Sequence, residues 1–214
     1  MSNLALVFDV ETNGLIPKGE PHIEICPHIL QLSFIVFNLD TYKIEKTYNV
    51  YINVSQKVSI KPEIENLTGI TRAKCATGVV VTEALDALYT EYIKCKTIIA
   101  HNIDFDSQMI RIELARNAGR KTRHLGDLLN IGFEKANDIT RYCTMKNNVD
   151  RCNIIIEMID KYGKPYNYKK FPRLSELHQH VFGTIPENLH DSLVDTKVCL
   201  KCYMKLLYDV EITI

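Results

Sequence analysis

The sequence predicts an α/β layer fold built on a mixed sheet. Apolar and alternating runs come first, as a meander, and helix-period segments alternate with short apolar runs afterwards. Residues 97–101 (TIIAH) pass directly into a helical pattern, which is the signature of a strand feeding a helix.

Residues 4–9 (LALVFD) form a continuous apolar run that reads as a buried strand. Residues 31–38 alternate poorly but are rich in Phe, Ile and Val, so they read as a second strand. Residues 43–52 (KIEKTYNVYI) alternate and predict a third, more exposed strand. Pro62 and Gly69 bracket a short helix followed by a turn within 61–72. Residues 82–95 predict an amphipathic helix with Thr82 as its N-cap. The strand at 97–101 leads into a helix to about 118, and 139–144 predict another strand. Helical periodicity then marks 150–161, 174–182 and a long final helix at 192–208.

The 214 residues, 46% hydrophobic, suffice for one domain with a full core, taken as 1–214. No apolar stretch approaches the roughly 18–20 residues that span a bilayer, and MSNLALVFDV lacks the parts of a signal peptide. Seven scattered cysteines suit a reducing interior, so a cytoplasmic or nuclear setting is expected. A formal net charge of +0 argues against a general nucleic-acid coat protein, but not against a nucleic-acid enzyme with local basic patches.

Asp9 and Glu11 stand two apart at the end of the first strand, so both project to one face. In HNIDFDSQMI (101–110), Asp104 shares its helical face with Gln108 and Arg111, a solvent-like stripe. Asp106 shares its face with Met109 and Ile110, where a carboxylate is costly unless paired or metal-bound. Asp195 heads an apolar stripe through Cys199, Cys202 and Leu206. On that segment alone, a capping box Ser192-x-x-Asp195 competes evenly with a functional role. His190 lies just before this helix and takes its weight from its company. Cys199 and Cys202 lie on the buried stripe and read as core, and Cys26 with His22 and His28 lacks a second ligand pair for zinc.

Four inward carboxylates without a matching set of buried cations call for divalent metal. Oxygen ligands select hard ions such as Mg²⁺ or Mn²⁺. A two-ion site is suited to phosphodiester hydrolysis.

Three ordered segments, FDVETNG (8–14), HNIDFD (101–106) and HDSLVD (190–195), resemble the three motifs of the DEDDh (DnaQ-like) 3′–5′ exonuclease family. LTGIT (67–71) is similar to the family's usual turn before the second motif, and the likeness runs from residue 4 to about 207. The resemblance implies a ribonuclease H-like fold, a mixed five-stranded sheet flanked by helices. It implies that Asp9, Glu11, Asp106 and Asp195 hold two Mg²⁺ ions and that His190 is the general base, releasing nucleoside 5′-monophosphates. It also implies that Thr12, Asn13, Gly14 and Leu15 face the 3′-terminal nucleotide. The rival reading of those residues is an ordinary Asn-Gly turn. Asn102 either positions substrate or caps the following helix.

Residues 145–172 are longer than a simple link and interleave lysines, among them Lys169 and Lys170, with tyrosines and Phe171. That composition suits a single strand, and it equally suits a solvated loop whose rings pack on the domain. The TNG-Leu ending of the first motif favours DNA over RNA. The rivals are an RNase T-like or oligoribonuclease-like RNA exonuclease and an inactive nucleic-acid- or polymerase-binding module. A small-molecule phosphoesterase finds no Gly-rich phosphate cradle. With no polymerase segment in these residues, a polymerase partner is expected to bind non-covalently.

Overall fold

In chain order, the first three strands of the computed structural model are β1 (Leu4–Thr12), β2 (Ile29–Asn38) and β3 (Lys43–Tyr51); the model describes residues 3–19 and 21–214. Three helices follow, α1 (Pro62–Thr68), α2 (Arg72–Ala76) and α3 (Val81–Tyr92). Then come β4 (Thr97–Ala100), α4 (Ile103–Arg116), α5 (Ile131–Ala136) and β5 (Thr140–Cys143). The chain continues through α6 (Val149–Cys152), β6 (Ile155–Ile159), β7 (Pro165–Lys169), α7 (Leu174–Phe182) and α8 (Ser192–Tyr208).

Five strands form one sheet in the order β3-β2-β1-β4-β5. The meander pairs are antiparallel, while β4 and β5 run parallel to β1 and to each other, so the sheet is mixed as expected. β1 is central. Its residues alternate between two cores, as a period of two requires. Leu6, Phe8 and Val10 pack with Leu85, Leu88, Met109 and Ile110 of α3 and α4. Ala5 and Val7 pack with Leu177, Leu200 and Met204 of α7 and α8. Asp9 and Glu11 continue the second set and face α8. β2 is buried at every position, which is why its sequence alternates poorly.

The short helix before Gly69 is α1, and Gly69 closes it in the left-handed region at φ 66. Two local expectations are corrected. Thr82 is not the cap of α3: the chain turns into the helix at Val80, which is extended and makes no side-chain cap bond. Residues 150–161 are not one helix. Asn153, left-handed at φ 46, ends α6 after one turn, and the Ile-rich run that follows pairs as β6 with β7 in a separate two-stranded hairpin. β-branched side chains and the turn glycine Gly163 (φ 80) favour that hairpin over helix continuation.

All seven cysteines are free thiols, and Cys199 and Cys202 are core residues as expected. Among the described residues, no helix is long and apolar enough to cross a membrane.

Candidate active site

The sheet brings the C-terminal ends of β1, β4 and β5 to one edge, because those strands run parallel. The three motifs meet there. Asp106, in the first turn of α4, is 2% exposed and accepts a hydrogen bond from the Val10 backbone N–H at 3.2 Å. The second motif is thereby fastened to β1 between the two acids of the first. Asp104, two residues earlier and so on the opposite side of the helix, is exposed and paired with Lys146, the solvated role its face predicted.

The N-terminus of α8 is pinned to the same edge by polar contacts. The Ser192 hydroxyl donates to the Asp9 carbonyl oxygen at 2.7 Å. The fully buried Gln31 of β2 accepts the Ser192 N–H at 3.4 Å and donates to the Asp191 carboxylate at 3.1 Å. Asp191 caps α8, accepting from the N–H groups of Leu193 and Val194. The capping box that competed with a functional role for Asp195 therefore does not form at Ser192. The Asp195 carboxylate instead accepts the His190 backbone N–H, 3.3 Å from each oxygen. His190 is exposed and left-handed at φ 70. One side-chain ligand atom each from Glu11, His190 and Asp195 falls within 4.8 Å of the others.

The carboxylates here differ from other buried acids in this chain. Glu91 pairs with Lys46 and Lys94, Glu113 with Arg116, and Glu134 with Arg141. No salt bridge among the described residues involves Asp9, Glu11, Asp106 or Asp195. Asp9 Oδ2 is buried with no hydrogen-bond partner. Burial, then the charges of Asp106, Asp195 and Glu11, push the Asp9 carboxyl well above the usual range. Burial and the Asp195 and Asp106 charges raise Glu11 to about 8. Burial raises Asp106 to about 8, against the Val10 hydrogen bond that lowers it. Asp195 rises to about 7, again chiefly through burial. An orphaned buried oxygen within a set of all-oxygen donors of one charge fits a hard divalent cation, which supplies the positive charge that the protein omits.

A model of the exonuclease family (RNase_T) matches residues 6–203. The chain belongs to the exonuclease family. Solved structures similar to this exonuclease include a 3′-exonuclease that recognises the histone mRNA stem-loop, at 14% identity and TM-score 0.66, covering 97% of this chain and 83% of that one. The nuclease domain of 3′hExo, a DEDDh member bound to rAMP, aligns at 16% identity and TM-score 0.61 over 97% and 93% of the two chains. E. coli Exonuclease I with a dA16 oligonucleotide aligns at 18% identity and TM-score 0.64, over 95% of this chain and 41% of that one. This exonuclease thus spans about two fifths of Exonuclease I. Among curated proteins, none matches in sequence. The fold is the ribonuclease H-like fold expected.

The residues predicted to meet substrate divide into four groups. Leu15, 83% exposed, and Asn102 line one cavity of about 440 Å³ together with Asp104 and Phe105 of α4. Asn102 stands at the N-cap of α4 in the left-handed region, yet its side chain makes no capping bond. Gly14 has room for a side chain, since an added Cβ would meet only Pro27 at 4.0 Å, so internal packing does not require glycine there. Thr12 and Asn13 are committed internally. The Thr12 hydroxyl donates to the Gly14 carbonyl, while the Asn13 amide donates to Ser59 and accepts the His28 N–H. Lys169 and Lys170 lie at the end of the hairpin and are paired with Asp150 and Glu176.

Gln31, Asp191, Ser192 and His101 were missed as builders of this edge. Gln31 carried a signal, a polar residue in an otherwise apolar strand. Its partners lie some 160 residues away, beyond the reach of local pattern.

Proposed function

We propose that this chain is a divalent-metal-dependent 3′–5′ exonuclease. It releases nucleoside 5′-monophosphates from the 3′ end of nucleic acid, single-stranded DNA before RNA, in proofreading or repair. The observation that carries the reading is the convergence of four carboxylates without a cationic partner, one with a buried orphaned oxygen, beside an exposed imidazole.

Asp9, Glu11, Asp106 and Asp195 would hold the ions, Mg²⁺ or Mn²⁺, which when bound would supply water activation and positive charge for the attacking and leaving oxygens. His190 takes the proton from the attacking water, a task suited to an imidazole near neutral pH. Its exposure leaves the ring free to pass that proton to solvent. The Val10–Asp106 and Ser192–Asp9 bonds hold the three motifs in register, so the chain meets substrate with its geometry already formed. Leu15 and Asn102 receive the terminal nucleotide in the cavity they line, and Gly14 lets backbone approach it. A proofreading role takes a polymerase as partner.

RNA is the second reading, favoured by the likeness to the stem-loop enzyme. Rates on DNA and RNA strands of one sequence separate the two. Faster loss of the DNA strand supports the reading given, and faster loss of the RNA strand replaces it.

A further inference from the structure

The β6–β7 hairpin is the least packed element of the described chain. Every residue of β7 is exposed, and four of β6's five are too. Six aromatic side chains are largely exposed among the described residues, and four of them, Tyr162, Tyr166, Tyr168 and Phe171, belong to this segment. Directly opposed residues of an antiparallel pair share a face. Tyr166 is opposite Met158 and Tyr168 opposite Ile156, so one face carries two rings about 6.8 Å apart along the strand, over an aliphatic floor.

The tip is shaped to present cations. The Asp160 carboxylate accepts the backbone N–H groups of Tyr162 and Lys164, and Gly163 takes the left-handed position that closes the turn. Its acid is thus spent on the turn, while Lys161, Tyr162 and Lys164 project, with Tyr162 76% exposed. Residues 153–173 hold five basic residues against two acidic ones, in a chain of net charge +0.

The root is fixed at the catalytic edge. The half-buried ring of His101, at the end of β4, bonds Thr144 at the end of β5 through Nδ1 (2.9 Å) and the Pro172 carbonyl through Nε2 (3.1 Å). The hairpin's root is therefore tied to the same end of the sheet as the acidic residues.

We propose that the β6–β7 hairpin is a platform for the single strand 5′ of the terminal nucleotide: Tyr162, Tyr166 and Tyr168 stack bases, and Lys161 and Lys164 neutralise phosphates. This rests on the exonuclease reading above for the direction of the strand. Basic residues beside exposed rings favour a polyanion with flat bases over a protein partner.

The test compares wild type with Lys161→Ala/Tyr162→Ala/Lys164→Ala and with Tyr166→Ala/Tyr168→Ala, after thermal melts show both variants folded. Fluorescence anisotropy in EDTA gives Kd for a labelled oligo-dT of about 20 nucleotides across a salt series, and metal-dependent turnover is read on that strand and on a trinucleotide. Each variant is expected to weaken long-strand binding at least about tenfold. The lysine variant should also flatten the log–log salt slope by about 1.4, and trinucleotide kcat and KM should stay unchanged in both. Unchanged long-strand affinity overturns the proposal and leaves the face to a protein partner. Equal loss on the trinucleotide also overturns it. Wild type that binds through the hairpin yet degrades nothing retires the exonuclease reading alone. Wild type that degrades both substrates, with variants that bind normally, retires the platform alone.

Discussion

Asp106 accepts a hydrogen bond from the backbone N–H of Val10 at 3.2 Å, across 96 residues of sequence. Val10 lies between Asp9 and Glu11, so this bond ties the second motif to the first, beside the parallel pairing of β1 with β4. It also holds a carboxylate close to two others, against repulsion and desolvation that raise the pKa of all three.

That repulsion predicts a pH-dependent stability. Unfolded carboxylates titrate near 4, whereas Glu11 and Asp106 titrate at about 8 and Asp195 at about 7 in the folded chain. Between those values the folded state binds more protons, so this contribution is complete below the unfolded pKa and is lost as pH rises through 7 to 8. In EDTA, Tm should fall from about pH 4.5 to about pH 8 and level off above that. Mg²⁺ should restore it most at the alkaline end, where the carboxylates are ionised and free to bind. Asp106→Asn should flatten the EDTA profile. A wild-type profile flat in EDTA contradicts the linkage.

His190 should matter for rate and not for assembly. Its φ of 70 strains most side chains, so Asn, which tolerates that region, is the suitable replacement. His190→Asn should lower kcat by about 10²–10⁴-fold while the Mg²⁺-induced rise in Tm remains. Near-wild-type turnover removes His190 from proton transfer.

Gln31 joins β2 to the N-terminus of α8 through Ser192 and Asp191. Gln31→Leu fits the buried strand but releases that end of the helix. Turnover should fall by about 10–100-fold, through misplacement of His190 and Asp195. The fold, read by circular dichroism, should persist. Unchanged kcat would show that the Ser192–Asp9 bond alone positions α8.

His101 should stay neutral well into the acid range. Burial holds its pKa down at about 4. Because the folded value lies below the unfolded value near 6.5, its contribution to stability is present above that value and is lost as pH falls towards 4. NMR titration of the His101 ring should show no protonation at about pH 5.5. A midpoint near 6.5 would mean that the ring is not shielded from water at the hairpin root, since burial is what lowers its pKa.

Much of this was legible in the sequence. Periodicity placed β1, β4, α4, α7 and α8 within a few residues, and helical spacing alone separated Asp106 from Asp104. Local pattern failed where the answer lay in distant partners. The first strand of the hairpin, within 150–161, read as helix because its Ile-rich run is short and apolar, and its strand character comes from pairing across the Gly163 turn. Asp195 left two readings open because the capping residue, Asp191, precedes the serine that the pattern suggested. Lys169 and Lys170 read as available cations until their neighbours in space, Asp150 and Glu176, were known.

The central claim is that these four carboxylates and His190 form a metal-dependent 3′–5′ exonuclease site. The most direct test is a time course on a 5′-labelled single strand with Mg²⁺, with EDTA, and with the Asp106→Ala variant. The account predicts a ladder shrinking from the 3′ end in Mg²⁺ alone, at least about 100-fold slower in the variant and absent in EDTA. A ladder of equal rate in EDTA or in Asp106→Ala would contradict it.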